Sequence, residues 1–441
     1  MADPNRIVTT TGTCFVELRA YARYLLCLAS RPSKLYHLIL FFDEALPRRS
    51  RQLASIQTMR SLWFGQKTSS TPIYYAGVAI CLVLILTTAF RFRFIIDAEL
   101  RSHGALNAES SRNPVTYKSL STIQNSTLGF GKVFAINLPE RTDHHDGLVL
   151  ASSVSKLRID FVAGVHGDAV LDKVLPAKHA EGLTPATKGS WRAHINAISQ
   201  VFEQNLESAL IIEDDIDWDI RLKDQLQDLA LSTCHILSTS RNAGTTQLSD
   251  VTINSKSSSS PYGQGWDVLW LGHCGMDLPP DANATMVLHE NDETVPQIQR
   301  QRSWDVNAVS PLHAYPQHSR MVAEQQQGTC SLAYAVSRRG AQKILFALGL
   351  RRLDMAFDMM LREWCQQDDG NARPKCLGVH PQLFDHHRRT GPNEIDSDIL
   401  APNGQYRNHA YTPNIRWSVR MNMRKLLSND DQYDDQWPDI R

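Results

Sequence analysis

Five acidic residues crowd together directly after a short apolar run, and their spacing could support chemistry that depends on a cation. Residues 209–212 (ALII) form that run. The acidic residues that follow it are Glu213, Asp214, Asp215, Asp217 and Asp219. Neighbouring carboxylates repel one another unless a cation is present, and their oxygens suit Mg²⁺ or Mn²⁺. An acidic helix N-terminus is the competing interpretation, because negative charge is favourable there.

Two further carboxylates, Asp354 and Asp358, stand four residues apart in a predicted helix. Side chains at this spacing lie on one helix face, so both can face the same site. A carboxylate in such a place can take a proton from an attacking hydroxyl. A helix cap or a surface charge is the alternative role for each. Farther along, Asp385, His386 and His387 are candidates to surround a metal or a diphosphate, and a solvent-exposed loop is the competing account.

The elements that must position these residues alternate between strand-like and helix-like segments. Strands are predicted at residues 132–138, 159–163, 209–212, 266–272 and 330–337. Helices are predicted at residues 142–157, 187–206, 219–231, 338–350 and 354–365. This alternation predicts an α/β domain with a largely parallel sheet. Ligands of such a sheet bind beyond the carboxyl ends of its strands, which is where the acidic run begins.

Composition excludes one class of protein. The 441 residues include 46 basic and 46 acidic side chains, so the formal net charge is zero. A nucleic-acid-binding protein that relies on an overall basic surface is therefore excluded, and we expect no nucleic-acid partner. Hydrophobic residues make up 42% of the chain, which is enough for a sizeable core.

A run without charged residues covers residues 68–90. About twenty apolar residues span a bilayer as a helix, so we predict a single transmembrane helix here rather than a buried core helix. Basic residues dominate before the run, whereas basic and acidic residues are mixed after it. This bias predicts a cytosolic N-terminus and a lumenal C-terminal part, as in a single-pass type II protein with an uncleaved signal-anchor.

These features predict the following domain organisation. The expected segments are a cytosolic tail (1–67), the transmembrane helix (68–90), a Ser/Asn/Thr-rich stem (91–130), a folded domain (131–400) with a low-complexity insertion (238–264), and a C-terminal extension (401–441). An initiation site at Met59 instead of Met1 is an open alternative. The glycosylation sequons at Asn125 and Asn283 agree with a lumenal position. We expect the protein in the membrane of the Golgi or the endoplasmic reticulum.

Cysteines beyond the predicted span occur in a compartment that permits disulfides. There are five, so at least one thiol is unpaired or pairs between chains. Cys365 and Cys376 flank a polar loop and are the pair that is easiest to join. The cysteine positions do not have the spacing of a zinc site. The five residues are Cys234, Cys274, Cys330, Cys365 and Cys376.

Six motifs occur in an order that resembles glycosyltransferase family 25, the lipopolysaccharide-type and collagen-type sugar transferases, and most closely its fungal members. Each motif alone is weak, whereas six in this order are specific, and together they cover about residues 130–400. They are VFAINLPERTD (133–143), KGSWRAHINAI (188–198), ALIIEDDIDWD (209–219), WDVLWLGHCG (266–275), CSLAYAVSRRGAQKIL (330–345) and the late SDI (397–399).

The resemblance implies a GT-A type, Rossmann-like domain that binds a nucleotide sugar beside a metal motif. Glu213 and Asp215 take the outer positions of that motif, with Asp215-x-Asp217 as an alternative register. The implied metal is Mn²⁺ or Mg²⁺. Asp214 lies between the outer positions and would also contact the donor. Asn137 and Arg141 would contact the nucleotide, because a guanidinium donates in pairs to a phosphate or a base edge. Arg141 could equally be a solvated turn residue.

The same resemblance makes Asp358 the first choice for the catalytic base, with Asp354 as the alternative. His194 is expected at the donor site, although it could be a hydrogen-bonded core histidine. Two departures from the family pattern concern the nucleotide and sugar preference more than the fold. Histidines 144 and 145 stand where the family has a second arginine, and Ala193 replaces a serine.

The predicted function is metal-assisted transfer of a hexose from a donor such as UDP-galactose to a hydroxyl of a glycan or glycoprotein. Two other classes stay open. One is a catalytically inactive, membrane-tethered binding protein on the same fold. The other is a metal-dependent hydrolase of nucleotide diphosphates, which should carry a second metal-ligand cluster; the sequence does not suggest one.

Overall fold

The computed structural model describes residues 120–252, 260–303, 309–367, 373–396 and 404–440, all within one compact unit, Pro114–Arg441. The predicted tail, the transmembrane helix and residues 91–119 of the stem lie outside the described residues, as do the late SDI motif and residues 253–259 of the insertion. Among the residues that are described, no helix combines the length and apolar character needed to cross a bilayer.

The described chain contains the following strands and helices. The strands are β1 (Lys132–Asn137), β2 (Ile159–Ala163), β3 (Lys178–His179), β4 (Ser208–Glu213), β5 (Ile216–Trp218), β6 (Thr245–Gln247), β7 (Val268–Gly272), β8 (Gly275–Asp277), β9 (Met286–His289), β10 (Arg320–Glu324), β11 (Gln326–Thr329), β12 (Ala333–Ser337), β13 (Arg352–Leu353), β14 (Cys376–His380), β15 (Phe384–His386), β16 (Gly391–Pro392) and β17 (Tyr406–Arg407). The α-helices are α1 (Thr142–Val154), α2 (Pro185–Glu203), α3 (Leu222–Ser238), α4 (Arg338–Ile344), α5 (Phe357–Gln366) and α6 (Met423–Ser428).

One large mixed sheet organises the fold, with the strand order β2-β1-β4-β12-β7-β14-β10-β9-β6. Along this path β12 and β10 are antiparallel to both of their neighbours, and the other pairs are parallel. Most strands therefore point one way, which agrees with the predicted α/β class and with a Rossmann-like arrangement. Helices α1 and α2 connect the parallel strands β1, β2 and β4, as crossovers in such sheets do.

The reversal of β12 has a topological cause that matters for the site. The chain leaves β7 at its carboxyl end, passes through β8, crosses the same sheet in β9 and back in β10, and returns through β11, which pairs with β8 in antiparallel fashion. A connection that leaves and returns at the same edge must send the next strand back in the opposite direction. The start of β12 consequently lies beside the end of β4, where the Glu213 amide donates to the Leu332 carbonyl at 2.9 Å.

Apolar side chains fill both faces of the sheet. Trp191 on α2 is fully buried, and its indole N–H donates to the Leu348 carbonyl at 2.7 Å. Helix α2 begins earlier than predicted because Thr184 caps it, accepting from the Thr187 amide at 3.1 Å, and Pro185 occupies its first turn. On the opposite face, Trp218 and Leu226 are also fully buried.

Two segments expected to lie outside the domain pack onto it. Residues 120–130, placed in the stem by their polar composition, contribute Ile123, Leu128 and Phe130 to the core. The Tyr262 hydroxyl donates to the Leu128 carbonyl at 2.6 Å. Residues 404–440, predicted to be an extension, run along β5, where the Val419 amide donates to the Trp218 carbonyl at 2.9 Å.

The disulfides agree with the cysteine arithmetic. The pairing of Cys365 with Cys376 is confirmed, and Cys274 pairs with Cys330 across the β8–β11 excursion. Cys234 is the free thiol of the described chain, and burial raises its pKa to about 11. Cys330 lies three residues before the first residue of β12, so its disulfide helps to fix the edge of the sheet at which β4 ends.

Candidate active site

Glu213, Asp215 and His386 come together at the carboxyl edge of the sheet. Glu213 ends β4, and Asp215 lies in the turn before β5. Strand β15 pairs with β5 in antiparallel fashion and places His386 opposite Ile216. The three residues each offer one ligand atom, and these atoms lie within 4.8 Å of one another. Two carboxylates and one imidazole form a ligand set suited to Mn²⁺, a dication that accepts both oxygen and nitrogen.

The carboxylate of Asp215 provides the test of whether a cation fits. Its Oδ1 atom is buried and finds no hydrogen-bond partner among the described residues. A buried carboxylate oxygen without a donor is costly, because it loses water and gains nothing in return. Its Oδ2 atom lies 3.6 Å from Nε2 of His386. Burial lowers the pKa of His386, against the opposing effect of Asp215, so the neutral imidazole can offer a lone pair to a cation.

A chain of hydrogen bonds links Glu213 to side chains in the core. The Ser331 hydroxyl donates to Oε1 of Glu213 at 2.9 Å. Because that proton is committed, Ser331 Oγ accepts from Nε2 of His194 at 3.1 Å, and Nδ1 then accepts from the Tyr334 hydroxyl at 3.0 Å. The His194 ring also stacks on Phe357, with the ring centroids 4.4 Å apart. The structure thus places His194 in the core, where it contacts Glu213 through Ser331 and can orient the Glu213 carboxylate.

Asp214 turns toward the segment between β1 and α1. Its Oδ2 accepts from Nδ2 of Asn137 at 2.7 Å, and its Oδ1 lies 2.9 Å from Nδ1 of His144. Asn137 also donates to the Arg141 carbonyl at 3.2 Å. His144, one of the two departures from the family pattern, therefore contacts the acidic run. These contacts join the first motif (133–143) to the third (209–219).

Arg141 lies at the mouth of this turn. Its Nε donates to Asp143 at 3.1 Å, and its Nη2 donates to the Ile395 carbonyl at 2.8 Å. Arg389 also pairs with Asp143, at 2.7 Å. Together the two guanidinium groups, Arg141 foremost, hold the pKa of Asp143 well below its usual range. Arg389 was not predicted from the sequence, and its position three residues after His386 was the signal that could have indicated it. In the structure its Nε has no hydrogen-bond partner among the described residues.

Asp217, proposed above as a metal ligand in the alternative register, is not brought to the cluster. Its side chain is fully buried, and both oxygens accept hydrogen bonds. Oδ2 accepts from the Thr412 hydroxyl at 2.7 Å and also from the Ser418 hydroxyl. Oδ1 accepts from the amides of Trp218, at 2.8 Å, and Arg420, at 3.1 Å. A carboxylate this fully engaged has no free oxygen for a cation, so the register Glu213-x-Asp215 fits the structure better.

Asp354 and Asp358 lie in different surroundings. Helix α5 begins at Phe357 rather than at residue 354, so the argument that placed both on one helix face fails. Asp354 precedes the helix and pairs with Nε of Arg352 at 2.7 Å. Asp358 is in the first turn, and its Oδ2 accepts from the Cys330 amide at 2.7 Å. Because the next residue, Ser331, contacts Glu213, Asp358 lies on the cluster's side of the fold.

The remaining members of the Asp-His-His run face inward. Asp385 is buried and accepts from Gln382 at 2.6 Å and Asn414 at 2.8 Å. Burial raises the pKa of Asp385 to about 7 against these hydrogen bonds. His387 lies 3.2 Å from the Thr412 hydroxyl. Of the three candidates in this run, His386 alone joins the cluster that the described residues form.

The chain is similar to procollagen galactosyltransferases. It is 24% identical to procollagen galactosyltransferase 1 of Danio rerio over 272 residues, which are 58% of this chain and 36% of the relative. It is 25% identical to procollagen galactosyltransferase 1-A of Xenopus laevis over 281 residues, 57% of this chain and 36% of the relative. Procollagen galactosyltransferase 2 of Homo sapiens is 27% identical over 148 residues, 30% of this chain and 24% of the relative.

The chain thus matches about a third of the length of the first two of these relatives. No protein-family model matches it. The similarity supports the predicted resemblance to the collagen-type branch of glycosyltransferase family 25, whereas the closer likeness to fungal members stays a prediction.

Proposed function

We propose that the chain is a metal-assisted glycosyltransferase that moves a hexose from a nucleotide-diphosphate sugar to a hydroxyl of a glycan or glycoprotein. The observation that carries the proposal is the cluster of Glu213, Asp215 and His386, in which a buried oxygen of Asp215 lacks a partner among the described residues. The cluster lies at the sheet edge where α/β domains bind ligands. Similarity to proteins named galactosyltransferases supports the same activity and favours a UDP-galactose-like donor.

Each residue near the cluster has a role in this proposal. Glu213, Asp215 and His386 would hold Mn²⁺ or Mg²⁺, which supplies neutralising charge for the diphosphate oxygens of the donor. Arg141 and Asn137 border the donor side, since both lie where β1 ends. Asp358 takes the proton of the acceptor hydroxyl as that hydroxyl attacks. The acceptor is a hydroxyl-bearing glycoprotein, and the names of the relatives make a collagen-like chain the first to try.

A calorimetric titration with nucleotide sugars tests this function. We expect UDP-galactose to bind in the presence of Mn²⁺ and much more weakly after chelation, because the diphosphate and the acidic cluster repel each other without a cation. Incubation of the complex with a collagen peptide should then release UDP and glycosylate the peptide. Metal-dependent binding without turnover would identify an inactive binding protein, and release of UMP would identify a hydrolase. Absence of any binding would refute all three functions.

We further propose a single-pass type II topology with the folded domain in the lumen of the Golgi or the endoplasmic reticulum. The charge bias around residues 68–90 supports this orientation. In the folded domain the Asn125 and Asn283 side chains are both exposed, so the two sequons are accessible to a glycan.

Glycosylation tests the proposed topology. We expect both asparagines to carry N-linked glycans when the full chain is made in a eukaryotic cell, and treatment with an N-glycosidase should increase its gel mobility. Asn125→Gln and Asn283→Gln should each remove one step of that shift, and the double variant should remove all of it. A full-length protein whose mobility is unaffected by the glycosidase would contradict the lumenal orientation.

A further inference from the structure

The short turn that carries Asp215 is held by hydrogen bonds from distant parts of the chain. Three consecutive carbonyl groups, those of residues 214, 215 and 216, each accept a hydrogen bond from outside the turn. Arg420 Nη2 donates to the first at 3.0 Å and Arg420 Nε to the third at 2.9 Å. The His387 amide donates to the second at 2.7 Å. One guanidinium therefore bridges the residues on either side of Asp215.

Asp217 anchors the same turn from the other direction. It is fully buried, and three of its four hydrogen-bond donors, Thr412, Ser418 and the Arg420 amide, belong to the C-terminal segment. Ser418 is itself fixed, because its oxygen accepts from the Met421 amide at 2.9 Å. The C-terminal segment thus forms hydrogen bonds both with the backbone of the turn and with the side chain of Asp217 in β5.

The position of Arg420 depends on a close approach to α1. A Cβ atom added to Gly147 would lie 2.6 Å from Nη1 of Arg420, so a side chain there would displace the guanidinium. The guanidinium also lies within the field of three carboxylates, Asp217, Asp215 and Asp214, which oppose the lowering of its pKa by burial. The position of the Arg420 guanidinium is therefore determined by atoms of α1 and of the Asp215 turn.

We propose that Arg420, together with Thr412 and Ser418, holds the Asp215 turn in the geometry needed for the dication, so that these are positioning residues. This inference rests on the proposed function, since it concerns the same metal site. The Arg420 guanidinium donates to no carboxylate oxygen of the cluster in the described structure, and its hydrogen bonds go to the backbone carbonyls of Asp214 and Ile216. It acts on the cluster through the backbone, as a planar fork that spans two carbonyls at once.

The sign of one measurement separates this role from a simple charge effect. Arg420 is a cation close to a site that should bind a cation, so its charge alone opposes Mn²⁺ binding. Removing that charge without moving the turn would tighten Mn²⁺ binding. If the guanidinium positions the turn, its removal weakens Mn²⁺ binding instead. Arg420→Lys keeps the charge but not the fork, so positioning predicts a loss for this variant too.

The test measures the affinity of the full chain for Mn²⁺ alone by calorimetry, together with the thermal unfolding midpoint of each variant. We expect Arg420→Met to weaken Mn²⁺ binding by about tenfold or more, about 1.4 kcal/mol. Arg416→Met is the matched control, because Arg416 is a buried arginine of the same segment that bonds Asp435 and the Glu293 carbonyl. It should lower the unfolding midpoint and leave Mn²⁺ affinity unchanged.

Several outcomes decide the matter. Unchanged or tighter Mn²⁺ binding by Arg420→Met overturns the proposal, and so does an equal loss for Arg416→Met, which would indicate general destabilisation. If Arg420→Met does not fold, Ser418→Ala removes one donor to Asp217 and should weaken Mn²⁺ binding in the same direction by a smaller factor. If the wild type binds Mn²⁺ through Asp215 and neither Arg420→Met nor Ser418→Ala weakens that binding, the positioning role is refuted and the proposed function remains intact. Wild-type protein that binds no Mn²⁺ refutes the metal site itself.

Discussion

Asp215→Asn should weaken metal-dependent binding of the donor by about tenfold or more, equivalent to about 1.4 kcal/mol. The change removes one negative charge and one strong ligand oxygen from the cluster while keeping the size of the side chain. Because Oδ1 of Asp215 has no hydrogen-bond partner among the described residues, the neutral amide breaks none there. The fold should therefore survive, with an unfolding midpoint close to that of the wild type. Calorimetric titration of UDP-galactose at subsaturating Mn²⁺ gives the comparison.

Asp214→Asn provides the matched control for this prediction. It removes the same charge from the adjacent residue, but the Asp214 carboxylate faces Asn137 and His144 instead of the cluster. If local negative charge alone attracts the dication, the two variants will lose affinity to the same extent. If Asp215 is a ligand, its variant will lose much more. An unaltered donor affinity for Asp215→Asn at subsaturating Mn²⁺ would move the metal site elsewhere.

The part of the site that the sequence could predict is the part encoded in adjacent residues. An apolar strand followed at once by carboxylates places Glu213 and Asp215 at a sheet edge, and the structure brings both to one cluster. Residue type could not decide which of five carboxylates turns outward. Asp217 turns inward because Thr412 and Ser418, about two hundred positions later, supply its donors. That choice depends on tertiary contacts, which local patterns do not contain.

The same limit applies to the other neighbours of the cluster. His386 was one of three adjacent candidates, and only its pairing opposite Ile216 in the antiparallel β15–β5 ladder distinguishes it. Ser331 gave no signal, because a single serine at the start of an apolar strand has no characteristic pattern. Its importance comes from the reversal of β12, which depends on a connection that leaves and returns at one edge. The predicted alternation of strands and helices, being local, is found in the structure, whereas the order of the strands in the sheet was not predicted.

The folded domain begins earlier than predicted, because a mostly polar stretch carries a few buried apolar side chains. Residues 120–130 contain enough serine, threonine and asparagine to resemble a tether. Three apolar side chains in that stretch, Ile123, Leu128 and Phe130, are nevertheless buried. A short 3₁₀ turn over Leu120–Gln124 begins the segment that carries them. Composition averages over such a stretch, whereas burial depends on a few positions, so the end of the stem could not be located from the sequence.

Asp358→Asn should reduce turnover by about a hundredfold to ten-thousandfold, the usual contribution of general-base catalysis, and leave donor affinity nearly unchanged. The base acts on the acceptor hydroxyl as it attacks, so its loss lowers kcat without raising KM for the donor. The substitution is mild for the fold, because the amide oxygen of asparagine can still accept the hydrogen bond from the Cys330 amide. Initial rates with a collagen peptide, over a range of UDP-galactose concentrations, separate the two parameters.

Asp354→Asn is the control that the structure makes informative. It removes an equal charge four residues earlier, but Asp354 pairs with Arg352, which also contacts Glu363, and neither contact reaches the cluster. We expect near wild-type turnover from this variant. If Asp354 carries the effect, the proton acceptor lies outside α5 and the ion pair with Arg352 must open during the reaction.

If neither change matters, Asp385 and Glu363 are the next carboxylates to test. Asp385 is the weaker of the two, because its hydrogen bonds and burial keep it inside the domain. A failure of all four would favour transfer with retention of configuration, which needs no such base.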